Sequence, residues 1–441
     1  MRNTMQPSFD KNKARFSLLP LLTFVAIFLG SGIYLQSQGV DYAFYQLPAP
    51  VAILPAIVLA FILNKTSINQ SVETFIKGVG NNNIITMCLI YLLAGAFSAV
   101  AGATGGVDAV VNAGLSLIPP SLLLPGLFLI AAVISTAMGT SMGTIGAIGP
   151  IAYAVSIKTG IDPALMAGTI VSGAMFGDNL SIISDTTIAA TRTQACEMKD
   201  KFKENLKIAV PAAILTIALL LFLTPAAQVV DTKDYDILLV LPYAFILVLA
   251  VMGFNVFVVL LSGIVFAALM GFTGSYEGAS FVKDIYKGFS EMQEIFLLSM
   301  FIGGLSEFIR INGGLDYIAQ KIQAITKVIA KWHRKVADQL GIAALVVTSN
   351  MCIANNTVSI IVTGPIAKKL ADDGEISGKR SASLLDIFAC VTQGSLPYGA
   401  QALLLGATFK ISPWDVSTSS YYCFILAFTA IAVICLRRNK A

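Results

Sequence analysis

Apolar runs of about 18 residues or more recur from one end of this 441-residue chain to the other, with no large hydrophilic stretch between them. A run of that length is one bilayer crossing when it is an α-helix. Composition agrees. Hydrophobic residues make up 56% of the chain, charged residues 12%, and the mean hydropathy is +0.79; soluble surfaces need roughly a quarter of residues charged. The chain therefore reads as an all-α polytopic membrane protein, embedded along nearly its whole length.

Ten segments fit single crossings: 16–35, 46–63, 83–104, 164–190, 205–224, 236–252, 254–272, 291–311, 381–408 and 416–436. Two others, 120–157 and 338–371, are too long and too broken by Gly, Pro and polar residues to be one helix each. Basic residues near helix ends favour the cytoplasm. Arg2, Lys11, Lys13 and Arg15 then put the N-terminus inside, and Arg437, Arg438 and Lys440 put the C-terminus there too, so the number of crossings is even. Arg192, Lys199, Lys201, Lys203 and Lys207 mark another inner loop, and Asp231, Asp234 and Asp236 against Lys233 an outer one. Segment 338–371 has basic clusters on both sides (Lys327, Lys331, Arg334 and Lys335; Lys368, Lys369, Lys379 and Arg380), as a re-entrant hairpin from inside requires. Segment 120–157, with Asp108 before it and Lys158 and Asp162 after it, fits a hairpin from outside. The basic residues 1–15 lead into an apolar run with no Ala-x-Ala cleavage site and read as the approach to a retained first helix.

The two broken regions also resemble each other. Gly105-Gly106-Val107-Asp108 is answered by Gly313-Gly314-Leu315-Asp316, and Gly149-Pro150-Ile151-Ala152 by Gly364-Pro365-Ile366-Ala367, at offsets of 208 and 215 residues. Repeated sequence with opposite orientation describes an inverted repeat, the construction of secondary transporters whose site lies near the midplane between broken helices. The expected organisation is scaffold helices in 1–82, a first repeat with hairpin and broken helix in 83–204, linking scaffold helices in 205–290, a second such repeat in 291–415 and a C-terminal helix in 416–441.

Polar residues at bilayer depth are costly, so the densest run of them marks the expected site. Residues 177–187 hold Asp178, Asn179, Ser181, Ser184, Asp185, Thr186 and Thr187 between apolar stretches. Three further interruptions carry Thr140, Ser141 and Thr144; Asn350 with Asn355, Asn356 and Thr357; and Gln393, Ser395 and Tyr398 beside Pro397. Glycine and proline free backbone groups from the helical ladder, and freed groups survive at depth only where they line a cavity or meet a ligand. Freed carbonyls together with Asp, Asn, Ser and Thr oxygens suit a hard cation such as Na⁺. Asp178, Asp185, Asn179, Ser181, Thr186 and Thr187 are the expected cation ligands, and the other three clusters the expected substrate lining. The two aspartates stand about 10 Å apart on an unbroken helix, so either the chain unwinds between them or they serve different tasks. A buried carboxyl holds a proton or a cation but not readily both, which is a minimal exchange mechanism.

Plainer readings stand beside these. Asp178 can cap a half-helix, and the hydroxyls of 140–144 can serve close packing of membrane helices. Glu307 and Arg310 can pair at a helix end, Glu291 and Glu294 read as solvated boundary charges, and the single histidine, His333, as a residue of a basic loop. The six cysteines lack CxxC spacing and read as small hydrophobes; no cofactor is expected, and no nucleic-acid partner. The stretch Met175-Phe176-Gly177-Asp178 lacks the Gly-x-Gly-Asp of intramembrane aspartyl proteases, and no His-Glu-x-x-His is present, so an enzyme is not expected.

Ser172-Gly173-Ala174, Phe176-Gly177-Asp178 and Ser184-Asp185-Thr186-Thr187 resemble the signature of NhaC-type Na⁺/H⁺ antiporters of the ion transporter superfamily, over nearly the whole chain. The resemblance implies a bacterial inner-membrane homodimer with a scaffold domain and a mobile domain in elevator-like motion. It also implies Na⁺ as a transported ion, with malate/lactate-like exchange or amino-acid transport as the alternative. One departure is that Ile182 and Ile183 follow Ser181 where many relatives have proline.

Overall fold

The computed structural model describes residues 11–40, 46–117, 119–182, 184–224, 234–274 and 276–436. The charges at Arg2, Asp231, Lys233, Arg437, Arg438 and Lys440, and Ile183 of the central run, lie outside the described residues. No strand occurs among those described. The first part comprises α1 (Lys11–Phe16), α2 (Leu19–Ser37), α3 (Ala49–Ala52), α4 (Leu54–Leu63) and α5 (Ile68–Val79). Next come α6 (Asn82–Ala103), α7 (Gly106–Leu117), α8 (Leu123–Met138), α9 (Ser141–Thr159), α10 (Pro163–Leu180), α11 (Asp185–Gln194) and α12 (Met198–Leu223). Helices α13 (Ile237–Val251) and α14 (Val256–Phe272) lead to α15 (Gly278–Glu291), α16 (Gln293–Ile311), α17 (Gly314–Ile353), α18 (Asn356–Asp373), α19 (Gly378–Ser395), α20 (Ala400–Phe409), α21 (Pro413–Thr418) and α22 (Tyr421–Leu436).

Four helices are long and apolar enough to cross a bilayer on length and composition: Ala14–Leu35, Asn82–Ala103, Met198–Leu223 and Arg334–Ile353. Five shorter apolar helices join them. Large apolar side chains face outward, among them Phe222 at 85% exposure and Phe428 and Ile62 at 71% each. Such a surface needs lipid around it. Position 333 falls inside α17 rather than in a loop, and the expected boundary at 204 falls inside α12.

Both broken segments are helical hairpins, and their landmarks recur at one offset. Gly139 (φ +68°) ends α8 and Ala354 (φ +53°) ends α17, each in the left-handed region that reverses the chain. Thr140 and Asn355 follow as N-caps of α9 and α18. Further on, N-caps Asp162 and Ser377, C-caps Ser181 and Leu396, and left-handed C-caps Ala195 and Lys410 repeat the spacing. Every pair differs by 215 residues. Each outer hairpin arm packs on its own broken helix, α8 on α10 and α17 on α19, and the second arms pack on both halves, α9 on α10 and α20 and α18 on α19 and α11.

Glycine sets the closest of these approaches. A Cβ at Gly177 would lie 2.5 Å from the Ala132 carbonyl and 2.5 Å from the Ser135 side chain, and one at Gly173 would collide with the Phe128 carbonyl. Ser135 Oγ donates to Ala174 O at 2.6 Å and Ser181 Oγ to Thr136 O at 3.0 Å across the same seam. The motif glycines thus let α8 and α10 touch backbone to backbone.

Helices α6 and α16 cross nearby, with the amphipathic α5 and α15 against them. A Cβ at Gly303 would meet Ile84, Cys88 Sγ donates to Phe296 O at 3.7 Å, and a Cβ at Gly95 would meet Met292, so the two helices run antiparallel. At their crossing Tyr91 Oη and Ser299 Oγ, 208 residues apart, share a 3.2 Å hydrogen bond.

Gly177→Ala should lower the melting temperature of the detergent-solubilised protein, by overpacking of about 1–3 kcal/mol. Gly126→Ala, also on α8 but with no atom within 4 Å of its added Cβ, should leave it unchanged or raise it. Equal effects from both would show that the α8–α10 seam does not depend on the missing side chain.

Candidate functional site

The chain leaves the helix between Leu180 and Asp185. Hydroxyls replace the lost ladder bonds. Ser184 Oγ accepts from Thr187 N at 3.2 Å and caps α11, while Thr187 Oγ1 donates to Ser181 O at 2.7 Å. In the second half the chain departs between Ser395 and Ala400, around Pro397.

Asp178, in the last turn of α10, is 4% exposed. Its carboxylate accepts from Ser141 Oγ at 3.3 Å and from Thr186 Oγ1 at 3.5 Å. Ser141 sits at the tip of the first hairpin, so the hairpin and the broken helix meet at this carboxylate. The hydrogen bonds continue into the other half. Gln401 Nε2 donates to Ser141 Oγ at 3.2 Å, and Gln393 Nε2 donates to Gln401 Oε1 at 2.8 Å and to Ala354 O, at the second hairpin tip, at 3.3 Å. Gln393 Oε1 is buried with no hydrogen-bond partner, which leaves one acceptor for a ligand or water.

These groups border a cavity of about 90 Å³, room for an ion and a few water molecules. Of the expected site residues, Thr140, Ser141, Asp178, Asp185, Thr186, Asn355, Asn356, Thr357 and Gln393 line it. Five pairs in its wall keep the 215-residue offset: Thr140 and Asn355, Ser141 and Asn356, Met142 and Thr357, Asp178 and Gln393, Thr186 and Gln401. Asn83, Thr86, Met87 and Ile90 of α6 close it on one side.

Six expected residues stand back from the cavity. Thr144 Oγ1 donates to Thr140 O and Ser395 Oγ to Val391 O, both within their own helical turns. Tyr398 Oη donates to Met351 O at 2.7 Å and braces the second hairpin. Asn179 Nδ2 donates to Tyr422 Oη at 3.4 Å, Ser181 ties the break to α8, and Thr187 holds the two half-helices together. Thr140 and Asn355 reach the cavity, but their side-chain oxygens accept from Gly143 N and Val358 N as caps.

Asp185 lines the cavity from an exposed position at the first turn of α11, and Asp178 is the buried carboxylate of the central run. One expectation is corrected. Lys201, which its neighbours place in an inner loop, is fully buried in α12 and pairs with Asp386 of α19 at 2.7 Å. Gln401, Asn83 and Thr86 are cavity residues that sequence reading does not single out; applying the 215-residue offset to Thr186 leads to Gln401. Glu307 and Arg310 do pair, at 2.6 Å, and with Lys77 and Asn355 border a separate cavity of about 230 Å³. No group of three or more His, Cys, Asp or Glu side chains suited to a metal occurs among the described residues.

A lipid-facing helical body with a buried carboxylate at a chain break between two hairpin tips has the form of a secondary transporter. Comparison with known sequences gives the family: the Na⁺/H⁺ antiporter family matches residues 13–225 and 231–437, and the chain belongs to it. It is an integral membrane protein of the antiporter class. The chain is 25% identical over 451 residues to the malate-2H⁺/Na⁺-lactate antiporter of Bacillus subtilis, covering 94% of each chain. It is 25% identical over 447 residues to the Na⁺/H⁺ antiporter NhaC of Alkalihalophilus pseudofirmus, again covering 94% of each. Against the arginine/ornithine antiporter ArcD of Halobacterium salinarum it is 24% identical over 465 residues, covering 97% of this chain and 91% of that one.

Proposed function

We propose that this protein exchanges Na⁺ for H⁺ across a bacterial inner membrane by alternating access, as a homodimer with both termini in the cytoplasm. The observation that carries the reading is Asp178: a carboxylate 4% exposed, held by two hydroxyls and facing a small cavity walled by amides and hydroxyls. In such surroundings it must take up either a proton or a cation. Competition for that one group couples the two fluxes in opposite directions. The cavity's neutral oxygens (Thr186, Asn356, Thr357 and Gln393) suit the partial dehydration of Na⁺.

The two halves are read as inverted repeats, with about ten crossings, two re-entrant hairpins and two broken helices. Two cavities support a sliding, elevator-like motion. The site abuts Asn83, Thr86, Met87 and Ile90 of α6. The positions 208 residues on, Glu291, Glu294, Ile295 and Leu298 of the α15–α16 corner and α16, all line a second cavity of about 440 Å³ on the other side of the α6–α16 crossing. In this reading the hairpins and broken helices carry Asp178 from the first wall towards the second, against a scaffold that includes α5, α6, α15 and α16. Lys65 and Lys77 before α6 support an inner N-terminal end for that helix, and with it the reading of this form as the one open to the cytoplasm.

Exchange of a small organic anion or amino acid is the second reading, favoured by identities of 25% and 24% to relatives named for malate and lactate and for arginine and ornithine, beside 25% to one named for Na⁺/H⁺. One assay separates the two. A Na⁺ pulse without organic solute should drive protons out of acid-loaded proteoliposomes, and Asp178→Asn should abolish this while keeping the wild-type melting temperature. Wild-type turnover by Asp178→Asn would remove the site, and a wild type that needs an organic solute would favour the second reading. For the motion, Ala407→Trp, which fills the second cavity, should keep Na⁺ binding but slow exchange at least about tenfold; unchanged turnover would contradict it.

A further inference from the structure

Lys201 is 0% exposed, in the first turn of α12, although Lys199, Asp200 and Lys203 stand beside it in the chain. Its ammonium donates to Asp386 Oδ2 at 2.7 Å, to Thr187 Oγ1 at 2.6 Å and to Asn179 O at 3.3 Å. Asn205 Nδ2 joins the same group, donating to Asp386 Oδ2 at 2.7 Å and to Asn179 O at 2.8 Å. The ammonium therefore spans the break beside Asp178, touching the last turn of α10 through Asn179 and the first turn of α11 through Thr187. Asp386 Oδ1 is buried without a hydrogen-bond partner.

Architecture does not require this pair. The positions 215 residues away are Val171 for Asp386 and Val416 for Lys201, both fully buried and apolar. Replacing a buried ion pair by well-packed hydrophobic residues is commonly neutral or stabilising. The pair joins the two halves, Lys201 from α12 and Asp386 from α19, at one of two places related by the 215-residue offset and not at the other, which points to a task on the side of the site that holds Asp178. The counterpart of Asp178 is the neutral Gln393.

Charge counting supplies the task. Asn179 follows Asp178 in the chain, so the ammonium and both carboxylates lie within about 10 Å of one another. At that range, away from water, each charge strongly affects the others. Of the buried charges, Asp178, Asp386 and Lys201 sum to one net negative charge, while Asp185, which also lines the cavity, is exposed. The geometry points to Lys201 as a tethered cation that fixes the charge of the site at minus one, so that it accepts one monovalent cation and rejects divalent ones. Lys201 is a positioning residue in this role, since it touches the break and Asp386 but does not line the cavity. The inference rests on the antiport reading, with Asp178 as the exchanged group.

Three variants change the sum in known steps: Lys201→Gln to minus two, Asp386→Asn to zero, and the double variant Lys201→Gln/Asp386→Asn back to minus one. Binding of Na⁺ and of Ca²⁺ to the solubilised protein is measured by calorimetry. Lys201→Gln should bind Ca²⁺ at least about tenfold more tightly than wild type, Asp386→Asn should bind Na⁺ at least about tenfold more weakly, and the double variant should return to about the wild-type preference. If either single variant fails to fold, the double variant still decides, because it leaves neither charge unpaired. Asp386→Asn with wild-type Na⁺ affinity, or a double variant that binds Ca²⁺ tightly, overturns the inference while leaving the antiport reading intact. A wild type that binds neither cation overturns both.

Discussion

Backbone groups freed from a helix inside an apolar body have to find partners, and this structure satisfies four such interruptions at one place. The two hairpin tips and the two unwound stretches converge on Asp178, Ser141, Gln401 and Gln393. The tips reverse through left-handed residues, Gly139 and Ala354, and restart through caps, Thr140 and Asn355. In lipid no water is available to replace these bonds. The fold therefore gathers these four interruptions in one central knot, and that knot is also the place where a cation can be stripped of water.

The frame is symmetric in register and asymmetric in charge. A constant offset of 215 residues relates hairpins, caps, breaks and five pairs of cavity residues. Yet the first half contributes the carboxylate Asp178 where the second contributes Gln393, and the Lys201–Asp386 pair faces Val416 and Val171 in the corresponding places. Duplicated packing explains how two halves support one cavity. The differences explain how the cavity acquires a preference for one kind of charge.

Much of this is legible in the sequence because the bilayer leaves few alternatives. Long apolar runs, two segments too broken to be single helices, and the repeated Gly-Pro-Ile-Ala place the hairpins and breaks before any coordinates are known. The polar runs at 140–144, 177–187, 355–357 and 393–398 lead to most of the cavity wall. What escapes has physical causes. Gln401 sits in an apolar run with no proline beside it, and only the repeat register betrays it. Lys201 lies amid basic residues, so charge counting assigns it to a loop although helix α12 turns it inward onto Asp386. Asp185 shares a motif with Asp178, but α10 ends at Leu180 and α11 begins at Asp185, which puts it at an exposed helix start. Composition also fails to show α5 and α15, whose amphipathic sequences are too polar to stand out as crossings.

The central claim is that one buried carboxyl holds either a proton or Na⁺. Calorimetric titration of the solubilised protein with Na⁺, repeated in buffers of different ionisation enthalpy, measures protons released per ion bound. The account predicts release of about one proton per Na⁺ at pH values where the empty site is protonated. Na⁺ binding with no proton release at any pH would contradict it.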